Sequence, residues 1–218
     1  MKLVDLPNCS SCPRLVEHRA QLTIAYPKYF NAPVPEWGDS RGRLMILGLA
    51  PGLHGAARTG KAFVGDSSGD LLFAALHTAG FASHKEAGQA KLRGARITNA
   101  VKCLPPANAP TASEVNQCRH FLTQELGQFA SPGARKPRCI VALGGTAYRS
   151  LQRTLAVKLP PFGHAQHCIT PQGLHVIASY HPSRLNVNTG RINLAMMTAI
   201  FEQAKNCLLD GCVVEDCT

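Results

Sequence analysis

The residues of this 218-residue chain best suited to chemistry are four paired cysteines, an amide in an apolar run and a histidine in a His-Pro-Ser sequence. Cys9 and Cys12 form a C-x2-C near the start, and Cys103 and Cys118 form a second pair separated by fourteen residues, Leu104 to Gln117. Four thiolates from two distant segments complete a site for either zinc or an iron–sulfur cluster, and spacing alone does not choose between them. Nine cysteines in an intracellular chain read as metal ligands or buried thiols rather than as disulfides. Cys139 and Cys168 lie in apolar runs and read as buried thiols. Cys207, Cys212 and Cys217 share a tail with Asp210, Glu215 and Asp216 and read as surface thiols, with adventitious metal binding as the lesser alternative.

Asn99 lies in Arg96-Ile-Thr-Asn-Ala-Val101, where an amide must find partners or cost about 1–3 kcal/mol. An internal hydrogen bond is the plain reading. The sharper one is that a single amide offers a donor and an acceptor side by side, matching O4 and N3–H of uracil, whereas cytosine presents the reverse order. His181 reads either as a satisfied loop histidine or as a donor to negative charge developing on a leaving base. Phe63 reads either as core or as a flat face in a glycine-rich loop on which an extruded base stacks.

These residues need elements to hold them. The central stretch runs from Arg43 to Phe81: an apolar strand (Leu44 to Leu47) stops at Gly48, a Gly/Ala/Pro-rich loop follows, and a helix opens with a Ser67-x-x-Asp70 cap. Within that loop Gly55 to Lys61 imitates a phosphate-binding G-x-x-x-x-G-K, but Ala62 replaces the hydroxyl that would hold magnesium, which argues against nucleotide hydrolysis. Helices are expected from Leu15 to Ala25, Glu114 to Phe129, after Gly145, and from Asn193 to Leu209, with Pro27 to Gly42 as a surface connection. Strands are expected at Arg96 to Val101, at Cys139 to Leu143, and in a hairpin from Cys168 to Ser179 turning at Gln172-Gly173. Alternating strands and helices give a three-layer α/β/α fold around a central, mostly parallel sheet. The Gly48–Asp66 loop, Asn99 and His181 would then gather at the carboxyl edge, where open α/β sheets bind ligands.

Length favours one domain, residues 1–218, with a core large enough to need no disulfides. A hydrophobic content of 45% with 17% charged residues excludes a disordered chain. No run approaches the roughly 20 apolar residues of a membrane span and the start lacks a signal-peptide core, so a cytoplasmic protein with no membrane partner is expected. The net charge of +10 makes nucleic acid the leading partner class.

Together the segments CSSCPRLVEHR, GLAPGLHGAARTGKAFVGDSSG, RITNAVKCLPPANAPTASEVNQC, ALGGTAY and SYHPSRLNVNTGR resemble the uracil-DNA glycosylase superfamily, in its iron–sulfur branch. The match is most similar to type 5, with Phe63-Val64-Gly65 closer to type 4. The resemblance implies a four-stranded α/β/α fold and a 4Fe–4S cluster held by Cys9, Cys12, Cys103 and Cys118. It implies a substrate site built from Gly48, Pro51 and Gly52 of the first motif, with Phe63 stacking on the flipped base, Asn99 on its edge and His181 stabilising the departing anion. Many superfamily members carry an acidic or Asn residue in the first motif. Here the matching acid is Asp66, assigned to water activation or cation stabilisation, with capping of the next helix as the alternative. In the His181-Pro182-Ser183 loop and beyond, Ser183 and Arg184 are candidate DNA contacts and Leu185 a candidate wedge, by analogy with apolar intercalators. The activity implied is monofunctional removal of uracil, and of hypoxanthine or other deaminated bases, from DNA by a monomeric, nucleoid-associated enzyme. The competing reading is a non-catalytic DNA-binding protein with a structural zinc.

Overall fold

A computed structural model of the chain describes residues 5–130 and 136–210. The expected apolar runs form strands β2 (Leu44–Gly48), β3 (Ala95–Asn99), β4 (Arg138–Leu143) and β6 (Leu174–Ser179), which pair in parallel in the order β3-β2-β4-β6. Two short antiparallel strands extend this centre, β1 (Trp37–Gly38) beside β3 and β5 (His167–Ile169) beside β6. The sheet therefore has six strands, not the four expected. The strand missed by sequence is β1, which lies in the Pro27 to Gly42 connection and is too short to show alternation. It is held by its partners: the Trp37 indole donates to the Ala62 carbonyl at 3.1 Å, and its ring stacks on Phe73.

The four central strands are buried on both faces because helices cover both. On one face α3 (Ser67–Thr78) and α7 (Leu194–Asp210) pack Leu72, Phe73 and Leu76 with Met197, Ile200 and Phe201 against Leu44, Ile46 and Val141. On the other, α4 (Ala112–Phe129) and α5 (Gly145–Leu155) bring Leu122, Leu126, Tyr148 and Leu151 onto Met45, Leu47 and Ile140. This is the expected α/β/α layering. Helix α1 (Pro13–Ala25) lies outside these layers, joined to α4 by a bidentate Arg14–Glu114 pair at 2.7 Å. Glu114 also closes a capping box with Thr111 at the start of α4. Among the described residues no helix is long and apolar enough to cross a membrane.

Two cysteines depart from expectation. Cys168 is disulfide-bonded rather than a buried thiol. Cys207 is fully buried in α7, because the helix turns that position toward the sheet. Cys212 and Cys217 lie outside the described residues. His167 and His175 are also buried, and burial, with His175 nearby, pushes His167 down to about 4.

A buried ion pair joins sheet to helix beneath β3. Lys102, with no exposed surface, donates to both carboxylate oxygens of Glu125 on α4 at 2.6 and 2.7 Å, and Thr98 donates to the same carboxylate at 2.8 Å. Removing one partner strands the other charge, so Glu125→Ala should lower unfolding free energy in urea by about 3–5 kcal/mol, whereas the paired change Lys102→Met with Glu125→Leu should recover most of it.

Candidate active site

Gly48 and Asn99 end β2 and β3 as a register pair, which places the Asn99 amide at the carboxyl edge of the sheet. A Cβ on Gly48 would collide with the Asn99 Oδ1 and, at 2.7 Å, with the Phe63 ring, so only glycine lets the strand, the amide and the ring meet. Asn99 is 3% exposed, and its Oδ1 has no hydrogen-bond partner. The internal hydrogen bond that would make Asn99 merely structural is absent at that oxygen. Phe63 is held at φ +61°, a left-handed backbone conformation that costs a bulky residue about 1–3 kcal/mol. Its ring lies 5.9 Å from that of His181.

Asn99, Phe63 and His181 line one cleft of about 380 Å³, together with Pro51, Gly52, Asp66 and Ser183, whereas Gly48, expected in the substrate site, is not part of its lining and acts by making room for the amide and the ring. The expected gathering at the carboxyl edge is thus what the fold produces. The loop from Gly48 to Asp66 is more ordered than expected, because α2 (Ala56–Thr59) forms within it. Asp66 has two tasks. Its Oδ1 accepts from the Gly69 N–H at 2.9 Å as the N-cap of α3, one residue before the expected cap. Its Oδ2 lies against Gly55, where a Cβ would overlap it, and 3.4 Å from where a Cβ on Gly52 would sit. The cap therefore fixes the carboxylate in the cleft wall. Burial lowers the His181 pKa from the ordinary 6.5, against the opposing pull of Asp66, so the imidazole is neutral at neutral pH and donates one N–H. The side-chain amide of Asn186 donates to the His181 carbonyl at 2.8 Å and fixes the loop.

Just beyond His181, Ser183 caps the short helix α6 (Arg184–Asn188). Arg184 and Leu185 open that helix on the solvent side, and Leu185 is 71% exposed, high for a leucine beside a cleft. Sequence reasoning passed over His54, Ser68 and Asn108, which also line the cleft. His54 and Ser68 were signalled by lying inside the two motifs that supplied Gly52 and Asp66. Asn108 had no local signal.

Cys9, Cys12, Cys103 and Cys118 converge on a separate small cavity closed by Leu6, Leu15 and Phe121. Four sulfurs gathered from two segments of the chain form a donor set that suits either zinc or an iron–sulfur cluster. The donors also fit a negatively charged sulfur cage: the Lys102 N–H points at Cys118 Sγ at 3.2 Å and Arg19 at Cys103 Sγ at 3.8 Å. Burial raises the Cys103 and Cys118 thiols to about 11 and about 12, so without a metal both are protonated at neutral pH.

A family model described as the uracil DNA glycosylase superfamily matches residues 35–205. The chain is 41% identical over 207 residues to a type-5 uracil-DNA glycosylase of Pyrobaculum aerophilum, covering 91% of this chain and 88% of that protein. It is 38% identical over 210 residues to the type-5 uracil-DNA glycosylase of Thermus thermophilus, covering 92% and 94%. A type-4 uracil-DNA glycosylase of Pyrobaculum aerophilum is 30% identical over 184 residues, 82% of this chain and 79% of that protein. A match across most of the chain, on a fold that brings the glycine-rich loop, Asn99 and His181 to one cleft, makes this protein a member of the uracil-DNA glycosylase superfamily.

Proposed function

We propose that this protein is a monofunctional DNA glycosylase that hydrolyses the bond between uracil and deoxyribose, the first step of base excision repair. The observation that carries the reading is the unpartnered Oδ1 of Asn99 in the cleft beside Phe63 and His181. That oxygen accepts N3–H of uracil while the amide N–H₂ donates to O4, and the base stacks on Phe63. Hypoxanthine presents N1–H beside O6 in the same order, so the same amide serves it, and the cleft volume lies within the range of small-molecule sites.

In the reaction the C1′–N1 bond breaks, its electron pair leaves with the base, and positive character develops on the sugar. The neutral His181 donates its N–H to the base oxygen that gathers the negative charge. The Asp66 carboxylate, fixed by its cap to Gly69, stabilises the cationic sugar or accepts a proton from the attacking water. Among the described residues no lysine lines the cleft, which accords with water as the nucleophile and with abasic DNA left uncut. Leu185 fills the gap left by the flipped nucleotide, and Ser183 and Arg184 hold the adjacent phosphates. The four cysteines hold a 4Fe–4S cluster, which when bound supplies a redox-capable cross-link between the start of the chain and α4.

With duplexes carrying one uracil, hypoxanthine or normal base, strand cleavage only after alkali is expected at uracil and hypoxanthine. No product from cluster-intact protein would support a mere binding module. His181→Ala should lower the single-turnover rate about 10²- to 10³-fold with little change in DNA affinity. Because burial lowers the His181 pKa, the neutral donor persists as pH falls through 6.5, so wild-type activity should decline only at lower pH. Leu185→Ala should reduce duplex activity by a factor of ~10 relative to single strands, since flipping costs a few kcal/mol. Metal analysis should find about four irons per chain, lost on Cys103→Ser, whereas zinc in a four-sulfur shell would overturn the cluster assignment.

A further inference from the structure

We propose that His167, His175 and Cys207 form a second metal site, for one divalent cation of zinc's borderline-soft class. The site lies apart from both the cleft and the cysteine quartet. His167 is on β5, His175 near the amino end of β6 and Cys207 on α7, at the opposite end of β6 from His181. None of the three has a part in the glycosylase chemistry, so this inference stands independently of that reading.

The geometry carries it. His167 Nε2 is 3.1 Å from His175 Nδ1 and 3.8 Å from Cys207 Sγ, and one ligand atom of each of the three residues lies within 4.8 Å of the other two. Tetrahedral zinc with Zn–N near 2.0–2.1 Å and Zn–S near 2.3 Å requires N···N of about 3.3 Å and N···S of about 3.6 Å. The two observed spacings fall within a few tenths of an ångström of those edges. Hydrogen bonding is a poorer account of the convergence. His167 Nε2 carries either one proton or one lone pair, so it cannot make a full hydrogen bond to both neighbours. A cation among them accepts a lone pair from each.

The surroundings fit a structural ion. His167, His175 and Cys207 are 8%, 4% and 0% exposed, and two imidazoles with one thiolate are a zinc-type donor set. Bound there, the ion pins the β5–β6 hairpin to α7. The fourth position of a tetrahedral ion falls to water.

The test uses full-length holoprotein, equilibrated with zinc and desalted, followed by metal analysis and X-ray absorption at the zinc edge, which iron does not obscure. About one zinc per chain is expected beside the iron, with a first shell of nitrogen near 2.0 Å and sulfur near 2.3 Å. Cys207→Ser and His167→Gln, made separately, should each cut retained zinc about tenfold while iron content and uracil excision hold. Three results would overturn the proposal: less than about one zinc per ten chains in wild type, a shell of sulfur without nitrogen, or zinc undiminished in variants whose iron content shows them folded. Loss of excision with the zinc shell intact would count against the glycosylase reading alone.

Discussion

Everything at the carboxyl edge depends on the close approach of Gly48 to Asn99. The two residues end adjacent parallel strands in register, and the absence of a side chain on one leaves room for the amide of the other. Phe63 takes up the rest of that space and accepts an unfavourable backbone conformation to do so. The result is a buried amide oxygen without an internal partner. A folded protein keeps such a group at a cost of about 1–3 kcal/mol, and a ligand that supplies the missing donor recovers it. Under the proposed function, specificity for a base edge is in this sense stored in the sheet register.

The glycine-rich loop converts the same economy of space into electrostatics. Asp66 caps α3 through one oxygen and presses the other against Gly55, so the requirement of a helix start fixes a carboxylate in the cleft. His181 faces that charge from the end of β6, where burial keeps its imidazole neutral despite the nearby carboxylate. Under the proposed function, this neutral donor and fixed anion are complementary to a departing base anion and a cationic sugar.

The two sets of candidate metal ligands tie the periphery to this core in different ways. The quartet joins the segment around Cys9 and Cys12 to β3 and α4, with Lys102 adjoining both Cys118 and the buried Glu125 carboxylate. The trio at His167, His175 and Cys207 joins the last hairpin to the last helix. Between them they reach both ends of the chain, in a protein whose parallel sheet is formed by pairings distant in sequence.

The sequence by itself determined the layers, the four parallel strands and the principal cleft residues. Strands buried on both faces are covered by helices on both sides, and topology then sends the loops after Gly48 and Ser179 to one edge, with β3 ending at Asn99, two residues short of the expected Val101. Local chemistry also marked Asp66, although its cap fell one residue before the expected one. Only the tertiary structure decided the rest. Strand β1 exists because Trp37 finds Ala62 and Phe73, contacts that no short-range pattern encodes. Asn108 reaches the cleft from a turn without periodicity. Cys207 looked like part of a polar tail, yet the phase of α7 turns it into the core beside two histidines some thirty to forty residues earlier in the chain. Periodicity reports which face of an element is buried, whereas convergence between elements depends on their packing, and that is fixed only when the whole chain has folded.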